Sequence, residues 1–154
     1  MCDHRGEPVK VGRFTVLAGG MQYMEPKDLK KADILVPLLE RTPLPLGEEF
    51  HVLSGALKDF GGVPENWEDF LRTVIKKLRR RKKILAFCMA SHGRTGTFLA
   101  SLIALLESPK ETPDPIAAVR ERHCPHAVET LAQAEAIFAL RGEKLPEQYA
   151  TTLL

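Results

Sequence analysis

The chain has 154 residues, a formal net charge of +2 and a hydrophobic fraction of 44% against 27% charged residues. This is the balance of a globular domain with enough chain to bury a sizeable core. No global field commits it to nucleic acid or to a membrane surface.

The three cysteines, Cys2, Cys88 and Cys124, are odd in number and irregular in spacing. That argues against a disulfide framework, and no paired Cys/His spacing suggests zinc, so no metal site is expected. A reducing, cytoplasmic compartment follows, because there a free thiol survives. The first residues, MCDHRGEPVKVGRF, hold no apolar run that could act as a signal peptide. The longest apolar stretch, Thr97 to Leu106, is too short to span a bilayer.

In chain order, Arg13 to Ala18 is β-rich and ends at Gly19-Gly20, which predicts a strand. Pro26 to Ala32 is a short helix candidate. Asp33 to Leu38 is an apolar run of strand length, buried on both faces. Thr42 to Gly47 is a loop, and Phe50 to Ser54 a third strand candidate. A helix begins near Pro64 or Asn66 and runs to about Arg80. There Trp67, Phe70, Leu71, Val74, Ile75 and Leu78 recur at helical spacing, and a basic last turn suits the macrodipole. Lys83 to Phe87 is a short buried strand. Thr95 to Glu107 is a helix apolar nearly all round, which places it at the centre of the domain. After a proline-marked loop, two further helices are expected over Pro115 to Arg122 and Ala127 to Leu140. The alternation predicts an α/β fold: one domain over 1–154, with its core at about 9–141. It should hold a central, mostly parallel sheet of four to five strands with helices on both faces.

The segment that carries chemistry is Phe87 to Thr97, FCMASHGRTGT. A strand delivers Cys88. A tight loop of Met89, Ala90, Ser91, His92 and Gly93 follows, and Arg94, Thr95 and Gly96 open a helix. Such a loop can turn its backbone N–H groups inward to make an anion nest, and the helix N-terminus adds partial positive charge. Arg94 offers a planar fork that matches two phosphate oxygens. Together these groups bind a tetrahedral dianion, and the same field favours the thiolate form of Cys88 for in-line attack. Thr95 can donate a hydrogen bond to the sulfur.

Cys88-x5-Arg94-Thr95-Gly96 resembles the phosphate loop of the cysteine-dependent protein tyrosine phosphatase superfamily, and the chain's size resembles its small dual-specificity branch. The resemblance implies a phosphomonoester hydrolase that works through a cysteinyl-phosphate intermediate and needs no metal or organic cofactor. It also implies a general acid on a loop about thirty residues upstream. Asp59, 29 residues before Cys88 in LKDFGGVPENW, takes that place ahead of the alternative Glu65. Downstream, VRERHCPHAVETLAQAEAIF resembles the segment in which Gln133 positions the hydrolytic water, with Arg120 and Glu129 structural. The substrate implied is a phosphorylated protein carrying phosphotyrosine, with phosphoserine and phosphothreonine admitted if the pocket is shallow. A monomer with no nucleic-acid site is expected.

The sequence departs from the family pattern at Phe87, where His is usual, and at Ser91, where Gly is usual. Lys58 and Leu57 before Asp59 favour the dual-specificity over the tyrosine-specific type. His92, inside the loop, is read as pointing to the pocket rim. The basic run Arg79 to Lys83, with Lys76 and Lys77, leads into the wrong end of the Cys88 strand. Five strand residues separate it from the thiol by roughly 16 Å, so it reads as a solvated helix terminus. Three other readings stay open. One is a catalytically weak module that recognises phosphate without hydrolysing it. Another is a phosphatase of RNA 5′ ends or of phosphorylated metabolites and lipids. The third is a low-molecular-weight arsenate reductase type, disfavoured by the central position of the loop.

Overall fold

The computed structural model describes residues 3–41, 50–57 and 61–153. Cys2, the expected loop over 42–47, and Lys58 with Asp59 lie outside the described residues. Five strands appear among the described residues: β1 (Arg5–Val11), β2 (Phe14–Gly20), β3 (Ile34–Pro37), β4 (His51–Val52) and β5 (Ile84–Cys88). Their order across the sheet is β1-β2-β5-β3-β4. β1 runs antiparallel to β2, and the pairs β2/β5, β5/β3 and β3/β4 are parallel. Six helices accompany them: α1 (Pro26–Leu29), α2 (Trp67–Arg79), α3 (Gly93–Leu106), α4 (Pro115–Arg122), α5 (Leu131–Ala139) and α6 (Glu147–Thr152).

β5 is the central strand, and all five of its residues are buried. The connection β2–α1–β3 crosses it in one direction, and β4–α2–β5 returns in the other. Right-handed crossovers therefore set α1 and α2 on opposite faces of the sheet. α2 buries Trp67, Leu71, Val74, Ile75 and Leu78 along one stripe, and the Trp67 indole donates to Ser101 Oγ on α3 at 3.1 Å. α3 is buried from Gly93 to Ala104, as its lack of a polar face predicts.

Several boundaries differ from the sequence pattern. The pattern does not announce β1, because Pro8 and alternating charges disguise an edge strand whose buried side is only Gly6, Val9 and Val11. α1 stops at Leu29, short of Ala32, and β4 is only two residues long. The helix expected from Ala127 begins at Leu131. Thr130 is its N-cap, with its hydroxyl accepting from Gln133 N and the Gln133 side chain closing the capping box. α6 follows the stretch 9–141 and buries Tyr149, whose ring lies 6.3 Å from that of Phe138.

The C-terminal end of α3 is fixed by charge. Arg122 grips Glu107 with two bonds, of 2.6 and 2.9 Å, and Gly12 N donates to the same carboxylate at 2.8 Å. Arg141 donates to the carbonyls of Ala104, Glu107 and Thr112 at 3.0, 2.8 and 2.7 Å. The Arg122 bonds, aided by Thr112 and Gly12, hold the Glu107 carboxyl at about 2, against an ordinary 4.5. A depressed carboxyl adds stability above its unfolded value and loses it as pH falls. Glu107 should therefore contribute about 3 kcal/mol at neutral pH, fading between pH 4.5 and 2. Urea unfolding of Glu107→Gln against the parent checks this: the difference in stability should shrink steadily over that window.

Candidate active site

The end of β5 and the start of α3 build the site. Cys88 Sγ is buried and receives two donors, the Ser91 backbone N–H at 3.2 Å and the Thr95 hydroxyl at 3.0 Å. For the chain to fold back onto its own sulfur within three residues, one backbone angle must be left-handed, and Ser91 adopts φ = +69°. This is the position where the phosphatase loop that the sequence resembles usually carries glycine. The strain on a residue with a Cβ is offset locally. Ser91 donates to the sulfur, its carbonyl meets His123 Nε2 at 2.8 Å, and its hydroxyl meets the same nitrogen at 3.2 Å. Burial holds His123 down to about 4, below its ordinary 6.5, so the ring is neutral near pH 7. Burial, with His4 and His126 nearby, also lowers His92.

The rest of the loop is clamped from two sides. On one side, the chain leaving β2 follows it: Met21 N donates to Cys88 O at 2.8 Å and Gln22 N to Met89 O at 3.0 Å. On the other, the turn before α5 closes over α3. Val128 sits at φ = +65°, costly for a β-branched residue. Arg120 holds it there, donating to the carbonyls of Ala127 and Val128 at 2.9 and 3.0 Å. That is the structural role expected of Arg120. Gly96 makes the approach possible, since a Cβ there would lie 2.8 Å from both Ala127 Cβ and Val128 N.

A small hollow of about 180 Å³ opens above the sulfur, lined by Cys88, Met89, Ala90, His92, Gly93 and Arg94. Gln22 and Glu129 complete its wall. Arg94, in the first turn of α3, is 8% exposed and borders this hollow. Gln133, 1% exposed, has its amide oxygen committed to the N–H groups of Glu129 and Thr130 at 2.8 and 3.2 Å. Its Nε2 lies toward the loop, 3.3 Å from where a Cβ on Gly93 would stand. The structure thus brings together Cys88, Met89, Ala90, Ser91, His92, Gly93, Arg94, Thr95 and Gln133. Asp59 lies outside the described residues. Phe87 is fully buried in the sheet and does not line the hollow.

Sequence reasoning missed His123 as the clamp on Ser91, and Gln22 and Glu129 as pocket wall. The motif HCPH was the one visible signal for His123. Larger hollows, of about 810 and 560 Å³, lie around Arg13, Phe14 and Arg79. Phe14 opens β2, whose other end, Gly20, pairs with Cys88, so these hollows sit at the far end of the sheet from the thiol.

No known family's sequence profile matches the chain. An uncharacterised protein, MJ0215 of Methanocaldococcus jannaschii, is 40% identical over 67 residues, which is 44% of this chain and 38% of that protein. Among solved structures, Tk-PTP in its active form is 28% identical with a TM-score of 0.67, over 81% of this chain and 90% of its own. DUSP15 superposes with a TM-score of 0.70 at 14% identity over 98% of both chains. The kinase associated phosphatase does so with the same score and identity over 99% of both. The chain has the small dual-specificity phosphatase-like fold. Within that phosphatase fold, β5, the loop 88–94 and α3 form the strand–loop–helix unit described above.

Gly96→Ala tests the clamp. Alanine gains about 1 kcal/mol in helix propensity. The contacts it meets include backbone atoms, where overpacking costs roughly 1–3 kcal/mol. A net loss of stability is expected by thermal unfolding, and a rise in midpoint would show that the turn at Ala127–Val128 is free to move.

Proposed function

We propose that the chain is a cysteine-dependent phosphomonoester hydrolase of the protein tyrosine/dual-specificity kind. The observation that carries this reading is the pair of donors on Cys88 Sγ, Ser91 N–H and Thr95 Oγ–H, at the floor of a hollow bordered by Arg94. Two hydrogen bonds into a sulfur stabilise its anionic form, both as nucleophile and as leaving group. The phosphoryl dianion enters the loop at residues 88–94. Arg94 and the inward N–H groups take the charge of the three non-bridging oxygens through the transition state.

Cys88 Sγ attacks phosphorus, the P–O bond to the leaving group breaks, and Asp59 gives that oxygen its proton. The cysteinyl-phosphate is then hydrolysed by water, with Asp59 taking the water's proton and Gln133 orienting its oxygen. Gln133 suits that part because its amide oxygen is already committed to Glu129 and Thr130, which leaves its NH₂ group toward the loop. Thr95 supports the sulfur when it departs.

A small, open hollow suits a phosphate presented on a protein surface. Phosphotyrosine proteins are therefore the substrate class proposed, with phosphoserine and phosphothreonine admitted. The chain acts as a monomeric single domain in the cytoplasm, where the thiol stays reduced. No helix among the described residues is long and apolar enough to cross a membrane.

Hydrolysis of para-nitrophenyl phosphate in EDTA, with Cys88→Ser beside the parent, tests the reading. Loss of turnover to background in the variant is expected; retained turnover removes Cys88 as nucleophile. Thr95→Ala should lower kcat about 10- to 100-fold, the worth of a hydrogen bond to a charged group. Asp59→Asn should slow alkyl phosphates more than aryl phosphates, whose leaving groups need less protonation, and equal slowing would assign the acid elsewhere.

A further inference from the structure

The chain has five histidines, and four of them, His4, His92, His123 and His126, gather against the phosphate loop. The rings of His4 and His123 are 4.2 Å apart, those of His4 and His92 5.6 Å, and those of His92 and His126 5.4 Å. The phosphatase chemistry described above uses none of His4, His126 or the buried thiol of Cys124.

His4 stands just before β1 and is only 4% exposed. Its Nδ1 is hydrogen-bonded to the Glu7 carboxylate, which accepts and so keeps the ring proton on Nδ1. The lone pair is then on Nε2, which is buried and has no hydrogen-bond partner. His92 Nε2 is likewise buried without a partner. His123 Nδ1 is a third such atom in the cluster. A buried imidazole nitrogen with nothing to bond is uncommon, and those of His4 and His92, both beside the Cys124 thiol, ask for a shared partner. One ring nitrogen each of His4 and His92 and the Cys124 sulfur all lie within 4.8 Å of one another.

We propose that His4, His92 and Cys124 form a binding site for a thiophilic divalent transition-metal ion, zinc above all, with Glu7 as the outer carboxylate that orients His4. Two imidazoles and a thiolate are a ligand set zinc accepts, with the fourth tetrahedral position left to water. Metal–ligand bonds of about 2.1 Å to nitrogen and 2.3 Å to sulfur place tetrahedral ligand atoms about 3.5 Å apart. The groups therefore close by about 1.3 Å at most, within reach of side-chain rotation. On binding, the Cys124 thiol gives up its proton to solvent, and both imidazoles bind through their neutral lone pairs. A carboxylate on the far nitrogen of a ligating histidine is the usual means of fixing its tautomer and raising its basicity. The site joins three separate pieces of chain: the segment before β1, the phosphate loop, and the turn after α4. An ion held there ties the phosphate loop to the edge of the sheet. The site stands independently of the phosphatase reading.

The test uses the full chain carrying Cys2→Ser and Cys88→Ser, which leaves Cys124 as its one thiol. Cobalt(II) is titrated into EDTA-treated protein as a spectroscopic probe. One equivalent should give the intense visible bands of tetrahedral cobalt together with a near-ultraviolet thiolate-to-cobalt charge-transfer band. Zinc should bleach both and raise the thermal midpoint. His4→Ala in this background should abolish the tetrahedral spectrum, and Glu7→Gln should weaken cobalt binding by roughly 10- to 100-fold. Cobalt bound without the charge-transfer band would place the ion on the alternative grouping of His4, Glu7 and His123 and overturn the proposal. So would no binding at all, or binding unaffected by His4→Ala.

Discussion

A left-handed turn at Ser91 is the constraint on which the site depends. The strand β5 must end at a sulfur, and the helix α3 must begin pointing at that sulfur. Only a backbone that doubles back within three residues joins the two. The turn costs strain in a residue with a side chain, and the structure meets that cost by bonding every polar group of Ser91. Its N–H goes to the Cys88 sulfur, while its carbonyl and hydroxyl go to His123. His123, in turn, is held neutral by burial, and a neutral ring can serve one carbonyl as donor without bringing a second positive charge under the loop.

Around this turn the remaining structure acts as a brace. β2 fixes the loop through the N–H groups of Met21 and Gln22, and the strained turn at Val128 fixes the first turn of α3 through Gly96. The far end of α3 is held by Glu107 with Arg122, and by Arg141 across three carbonyls. A helix anchored at its C-terminus keeps its N-terminal N–H groups aimed at one point. This preorganisation is what an anion site requires, since dipoles that must reorient on binding give back much of what they contribute.

The histidine cluster sits on the back of the same brace. His123 bonds Ser91 through Nε2 and His4 bonds Glu7 through Nδ1, yet His4, His92 and His123 each keep one buried nitrogen without a partner. A purely structural packing of rings leaves those nitrogens unaccounted for. A ligand shared by His4, His92 and Cys124 would satisfy two of the three, and it would make the rigidity of the loop depend on an ion as well as on the fold.

The sequence by itself determined the alternation that makes an α/β sheet, the buried α3, and the unit of Cys88, Arg94 and Thr95. Each of these is written in local spacing: apolar runs of strand length, a helix without a polar face, and a cysteine six residues before an arginine. β1 was not legible, because an edge strand buries too few side chains to leave a period-2 pattern over Gly6, Pro8 and three charged residues. The start of α5 moved to Leu131, because Thr130 caps it while the residues before it are spent closing over Gly96. The roles of His123 and Glu129, and the meeting of His4 with His92 and Cys124, were decided by the tertiary structure alone. The residues concerned come from the segment before β1, the loop 88–94 and the turns flanking α4 and α5. No sequence period relates them, and only the order of strands in the sheet and the packing of α4 and α5 on α3 bring them to one place.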